Sequence, residues 1–131
     1  MSDDSPVILL AVDHSPWAVR VVDTGQVLAS ELGARLHLFH AHPSDKATED
    51  YEWCYGLRGR LDGQNTELEV VAGDPVEEIV RKSESLTGLL FIVMGTHGRR
   101  GIRHAVLGSD AEAVVRASPS PVLLVRERGR G

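Results

Sequence analysis

The 131-residue chain contains one cysteine, Cys54, so no internal disulfide can staple it. A lone thiol without a CxxC partner fits a reducing compartment and an inert buried role. A basic excess is also missing. Fourteen Lys and Arg face nineteen Asp and Glu, for a net charge of −5. That balance argues against a dedicated nucleic-acid binder, which usually carries a basic footprint. No apolar run approaches the roughly 18 residues of a membrane span. The acidic start, Met-Ser-Asp-Asp-Ser-Pro, is unlike a signal peptide, so the expected location is the cytoplasm, with no membrane partner. Internal repeats, low-complexity tracts and linkers are lacking as well. The P-loop pattern G-x4-G-K-S/T does not occur, and Gly95, Gly98 and Gly101 do not have the spacing of G-x-G-x-x-G. No nucleophile–base pair or twin carboxylate can be identified, so nothing in the sequence demands catalysis.

What is present is an alternation of apolar runs and amphipathic stretches. A 42% hydrophobic fraction and 25% charged fraction are ordinary for a globular domain. A domain of this length buries roughly two-thirds of its unfolded surface without staples. Val7–Val12 reads as a strand buried on both faces. Ser15 and Pro16 suit the N-cap and N1 of a helix, whose apolar positions run from Ala18 to Leu32 before a stop at Gly33. Gly25 inside that helix costs about 1 kcal/mol of propensity. Arg35–Ala41 is a second strand. A helix over Ala47–Leu61 would place Tyr51, Cys54, Tyr55 and Leu57 or Arg58 on one side. Thr66–Val71 alternates apolar and acidic residues, as an edge strand with one wet face does. Asp74 and Pro75 open a third helix, and Leu89–Met94 is a fourth strand. A helix from Ser109 to Ala117, with Ser109 and Glu112 matching a capping box, precedes a last strand, Val122–Val125. Residues 126–131 read as a flexible charged tail. The order βαβαβαβαβ predicts a single α/β domain with a doubly wound parallel sheet. Ligands of such sheets sit beyond the carboxyl ends of the strands, where strand order reverses.

The segment from Gly95 to Gly108 carries most of the functional information. A buried strand feeds a long glycine-punctuated loop that ends on a helix N-terminus. Glycine lets backbone approach a ligand closely. A helix N-terminus presents unpaired N–H groups and partial positive charge. Together they predict an anion site, with phosphate the leading anion. Arg99, Arg100, Arg103 and His104 either contact phosphates or form a solvated loop, and His97, inside the same loop, is a further candidate phosphate contact. The alternative is a relic loop closed by Ser109 and Glu112. His40 and His42 share a strand face while His37 points away. With no Cys or carboxylate cluster evident beside them, no metal site is expected. Trp17 and Trp53 read as packing residues.

Gly95, Gly98, Gly108 and Ser109 match G-x2-G-x9-G-S/T, and in this the chain resembles the nucleotide-binding universal stress proteins. The strand ending at Asp13 and the closing Pro119-Ser120-Pro121-Val122 stretch are similar to that family too, so the resemblance runs over nearly the whole chain. It is weakest over residues 43–65. The resemblance implies one domain over residues 1–131 with five parallel strands in the order 3-2-1-4-5. It implies a site for ATP, with Mg²⁺ as the candidate counter-ion. Ala11, Val12 and Asp13 would line the adenine and ribose end, Ala41 would touch the base, and Met94 and Gly95 would back the ribose. Gly98, Gly108 and Ser109 would hold phosphates, and His97, Arg99, Asp110 and Ala111, which surround that motif, join the candidate site. Asp110 and Ala111 depart from the family pattern. Ala111 removes a phosphate donor, and Asp110 repels a triphosphate unless Mg²⁺ or the arginines offset it. The resemblance further implies a stress-response switch that forms a homodimer through Val122, Leu123, Leu124 and Val125. Two other functions stay open: a slow ATPase or self-phosphorylating enzyme with Ser109 as acceptor, and a nucleotide-free dimeric interaction protein.

Overall fold

A computed structural model describes residues 5–43, 47–96 and 107–126. Five strands, β1 (Val7–Ala11), β2 (Arg35–His42), β3 (Thr66–Ala72), β4 (Leu89–Gly95) and β5 (Val122–Val125), form one sheet. Four helices among the described residues connect them: α1 (Ala18–Leu32), α2 (Ala47–Arg58), α3 (Pro75–Ser85) and α4 (Ser109–Ala117). Every pairing is parallel, in the order β3-β2-β1-β4-β5. The expected sheet and its edge strand β3 are therefore both present.

The strands split their side chains between two apolar layers, as a period of two requires. Ile8, Leu10, Leu36 and Leu38 pack with α1 and α2. Leu9, Ala11, Phe39 and Ala41 pack with α3 and α4. All five residues of β1 are buried, which is why this central strand reads as a continuous apolar run.

Two helix ends follow the sequence signals closely. Gly33 closes α1 at φ 64°, a left-handed position that favours glycine. Asp74 caps α3 by accepting a bond from the Glu77 N–H at 3.0 Å, with Pro75 in the first turn. Asp74→Ala is expected to cost about 1 kcal/mol. A urea titration in which the variant unfolds at the wild-type midpoint would contradict that capping role.

Two other ends depart from expectation. Helix α1 begins at Ala18 rather than at Pro16, after a turn. In that turn Asp13 Oδ1 accepts the Ser15 N–H at 3.1 Å, and Ser15 Oγ accepts the Trp17 N–H at 3.3 Å. Short polar side chains compete with the helix for local N–H groups, and here they delay its start. In α4, Gly108 rather than Ser109 is the N-cap, and no side chain caps the helix. Glu112 pairs instead with Arg116 at 2.8 Å, one turn on. The capping box is not formed.

Helix α2 also turns a different face inward. Tyr51 and Tyr55 are exposed, whereas Asp50, Cys54 and Leu57 are buried and Trp53 is half-buried. A short 3₁₀ turn, Gly59–Leu61, adds buried Leu61 to this face. Burial pushes the Cys54 thiol up to about 12, with the Asp50 charge adding to it. The thiol is thus neutral and enclosed at physiological pH. Iodoacetamide at pH 8 is expected to leave the native protein unlabelled and to label the urea-unfolded chain within minutes. Equal labelling of both would show that α2 opens readily.

Candidate functional site

Strand order reverses between β1 and β4, because β1 continues to β2 on one side and meets β4 on the other. An open cleft lies at their carboxyl ends. Ala11, Val12 and Asp13 form its β1 side, Ala41 its β2 side, and Met94 and Gly95 its β4 side. Asp110 and Ala111, in the first turn of α4, close the opposite wall. Ile79 and Phe39 supply part of the apolar floor.

Each wall has a local cause. The turn that delays α1 spends one oxygen of Asp13 on the Ser15 N–H, which orients the carboxylate at the cleft. Ala11, Ala41 and Ala111 are small and buried, and their size leaves the space. Gly108 donates its N–H to the Thr96 carbonyl at 2.6 Å, a bond that ties the start of α4 to the end of β4. That N–H is therefore used within the protein. The amide end of α4 then meets the cleft through the turn containing Asp110 and Ala111. Ser109, expected as a cap, is instead the exposed first residue of the helix.

Of the thirteen residues the sequence nominated, Ala11, Val12, Asp13, Ala41, Met94, Gly95, Asp110 and Ala111 come together around this cleft. Gly108 and Ser109 lie just ahead of them. His97, Gly98 and Arg99 fall outside the described residues, as do Arg100, Arg103 and His104. No helix among the described residues is long and apolar enough to cross a membrane.

A second polar centre was not anticipated. His40 and His42 do share a face of β2, and His37 points to the other, where it meets Glu69 at 2.8 Å. The carboxylate thought to be lacking near His40 is supplied by α2. Asp50 lies 2.7 Å from both His14 Nε2 and His40 Nε2. Trp53 stacks on the His14 ring with centroids 3.8 Å apart. Burial pushes the Asp50 carboxyl up, but its contacts with His40 and His14 outweigh that, so it titrates below the ordinary carboxylate value. The available signal was spacing. Asp50, Trp53, Cys54 and Leu57 recur at i, i+3, i+4 and i+7, which marks one inward helical stripe with an acid on it.

The fold and cleft define a small doubly wound α/β domain with a crevice at its topological switch point. Residues 43–126 match the Universal stress protein family, and the chain belongs to that family. A universal stress protein of Thermus aquaticus is 33% identical over 134 residues, covering 91% of this chain and 97% of that one. Universal stress protein MJ0577 of Methanocaldococcus jannaschii is 41% identical over 59 residues, which span 45% of this chain and 36% of the relative. The solved structure of MJ0577 superposes with a TM-score of 0.84 at 23% identity, over 98% of this chain and 100% of that chain. The universal stress protein of Archaeoglobus fulgidus in complex with dAMP superposes with a TM-score of 0.71 at 24% identity, over 93% and 98% of the two chains.

Proposed function

We propose that this protein is an adenine-nucleotide-binding regulatory module that takes ATP with Mg²⁺ in the β1–β4 cleft. The observation that carries this reading is the convergence of Asp13, Ala41, Gly95 and the α4 amide end on one crevice. A carboxylate beside a ribose accepts hydroxyl protons, as in other doubly wound nucleotide folds. A helix N-terminus favours a phosphate. The dAMP complex of the A. fulgidus structure supports an adenine nucleotide in a fold of this kind.

The charge at Asp110 shapes the reading. An acid in the first turn stabilises the ligand-free helix by about 0.3–1 kcal/mol. The same charge repels a bare triphosphate, so Mg²⁺ is the expected bridge. On this reading the nucleotide is a signal held by the protein. A second copy of the chain is the proposed reader. Strand β5 is an edge with exposed Leu123, and an open edge of this kind is a pairing template.

Thermal melts test the nucleotide site. At 100 times its Kd, Mg-ATP should stabilise the native state by about 2.7 kcal/mol. For this size of domain that is on the order of 10 °C in Tm. GTP should give a much smaller shift. Identical curves with and without millimolar Mg-ATP would overturn the proposal.

A further inference from the structure

The His14–Asp50–His40 centre lies on the opposite face of the sheet from Ala11 and Ala41 of the cleft. Its three side chains come from three separate segments: the turn after β1, strand β2 and helix α2. One ligand atom from each lies within 4.8 Å of the other two. His42 Nε2 approaches the same carboxylate at 3.5 Å. Trp53 walls the group, stacked on His14 and edge-on to His40.

The hydrogen bonding of His40 sets the electrostatics. Its Nδ1 lies 2.8 Å from the Val12 carbonyl oxygen. A carbonyl can only accept, so Nδ1 carries the proton. In the neutral ring Nε2 is then a lone pair, and it points at Asp50 Oδ2 from 2.7 Å. Two acceptors at that separation require a positive species between them. His14 Nε2 addresses the other carboxylate oxygen from the same distance. An Nδ1–H fixed by a backbone carbonyl is also how proteins orient an imidazole whose Nε2 binds a metal.

We propose that His14, His40 and Asp50 form a binding site for a divalent transition ion of the zinc class. Two imidazoles with one carboxylate suit zinc and its neighbours rather than Mg²⁺ or Ca²⁺, which prefer oxygen donors. Tetrahedral zinc with ligands at about 2.0–2.2 Å separates neighbouring donor atoms by roughly 3.3 Å. The 2.7 Å contacts must open by roughly half an ångström on loading. His14 can supply that movement, because it sits on a turn and its side chain is 34% exposed. His14 and His42 face solvent and provide the access route, while the His40 and Asp50 side chains are only 5% and 10% exposed. Loading would join α2 to the ends of β1 and β2, one residue from Asp13 of the cleft.

The test uses the full, tag-free chain without nucleotide, so its outcome does not depend on the ATP site. Chelator-treated protein is titrated with Zn²⁺ by calorimetry and thermal melts, and with Co²⁺ by visible absorption. One equivalent should bind, with a Zn²⁺-dependent rise in Tm and the intense visible bands of tetrahedral Co²⁺. Mg²⁺ should produce neither. Asp50→Asn and His14→Gln should each weaken binding at least tenfold. His14→Gln alters a partly exposed turn, so its fold should persist, checked by circular dichroism. Absence of both the Co²⁺ bands and the Zn²⁺ stabilisation in the wild type would overturn the proposal and leave a proton as the bridging species. Undiminished binding in both variants would overturn it too, by placing the ion on other histidines.

Discussion

Leu10→Ala is expected to lower the unfolding free energy by about 3–4 kcal/mol, or roughly 10 °C or more in Tm. Leu10 is fully buried in the central strand, packed between β2 and β4 and under α1. Its contact with α1 is made at Gly25. A Cβ built on Gly25 would lie 2.5 Å from Leu10 Cδ2 and 2.8 Å from Cδ1. That distance explains why a poor helix former occupies the middle of a fifteen-residue helix. The helix gives up about 1 kcal/mol of propensity at this position. In return α1 sits close against the sheet.

The same geometry makes the two sites interdependent. Gly25→Ala alone gains propensity but forces Leu10 from its place, and overpacking of this kind costs about 1–3 kcal/mol. In the double variant the new methyl enters the space that Leu10 vacates. The combined loss should therefore fall short of the sum of the single losses by about 1–2 kcal/mol. Urea unfolding of all four proteins measures this cycle. Strict additivity would mean that Gly25 and Leu10 do not share that contact.

Gly25 also illustrates what was legible in the sequence. Its cost was visible, but the reason was not, because helix periodicity says nothing about which strand residue lies beneath. The strands were legible because β1 and β4 are enclosed by helices and read as unbroken apolar runs. The helix ends at Gly33 and Asp74 were legible because a left-handed residue or a side-chain acceptor is a local matter. The end at Ser15 misled because its hydroxyl takes the Trp17 N–H in a turn ahead of the helix, and the end at Ser109 because Gly108 takes the N-cap place one residue earlier. The inward face of α2 was obscured by two tyrosines whose apolar rings lie outside, while an acid lies inside. Asp50 is buried only because His14 and His40, distant in the chain, receive it. The helical stripe marks Asp50 as inward-facing, but which partners receive it is a property of the topology.

The cleft itself was legible to a useful degree, since Asp13, Ala41 and Gly95 lie at or just past the carboxyl ends of parallel strands, and parallel strands deliver those ends to one edge. This placement yields the second large effect. Ala41→Trp should abolish the nucleotide-dependent rise in Tm, removing the stabilisation of about 2.7 kcal/mol expected at 100 times the wild-type Kd. Ala41 is a buried wall residue whose methyl leaves the space proposed for the base. An indole there would fill that space from the β2 side. Because a large ring in a buried position can also disturb the fold, Asp13→Asn provides a second probe. The asparagine side-chain oxygen can still accept the Ser15 N–H, so the turn is kept while the charge is lost. Its Mg-ATP affinity should fall about tenfold or more, with Tm in the absence of nucleotide near the wild-type value. Calorimetric titration of both variants separates the outcomes. Loss of binding in each, with a folded Asp13→Asn protein, places the nucleotide in the β1–β4 cleft. Retention of full affinity in both would move it elsewhere and leave the cleft without its proposed ligand.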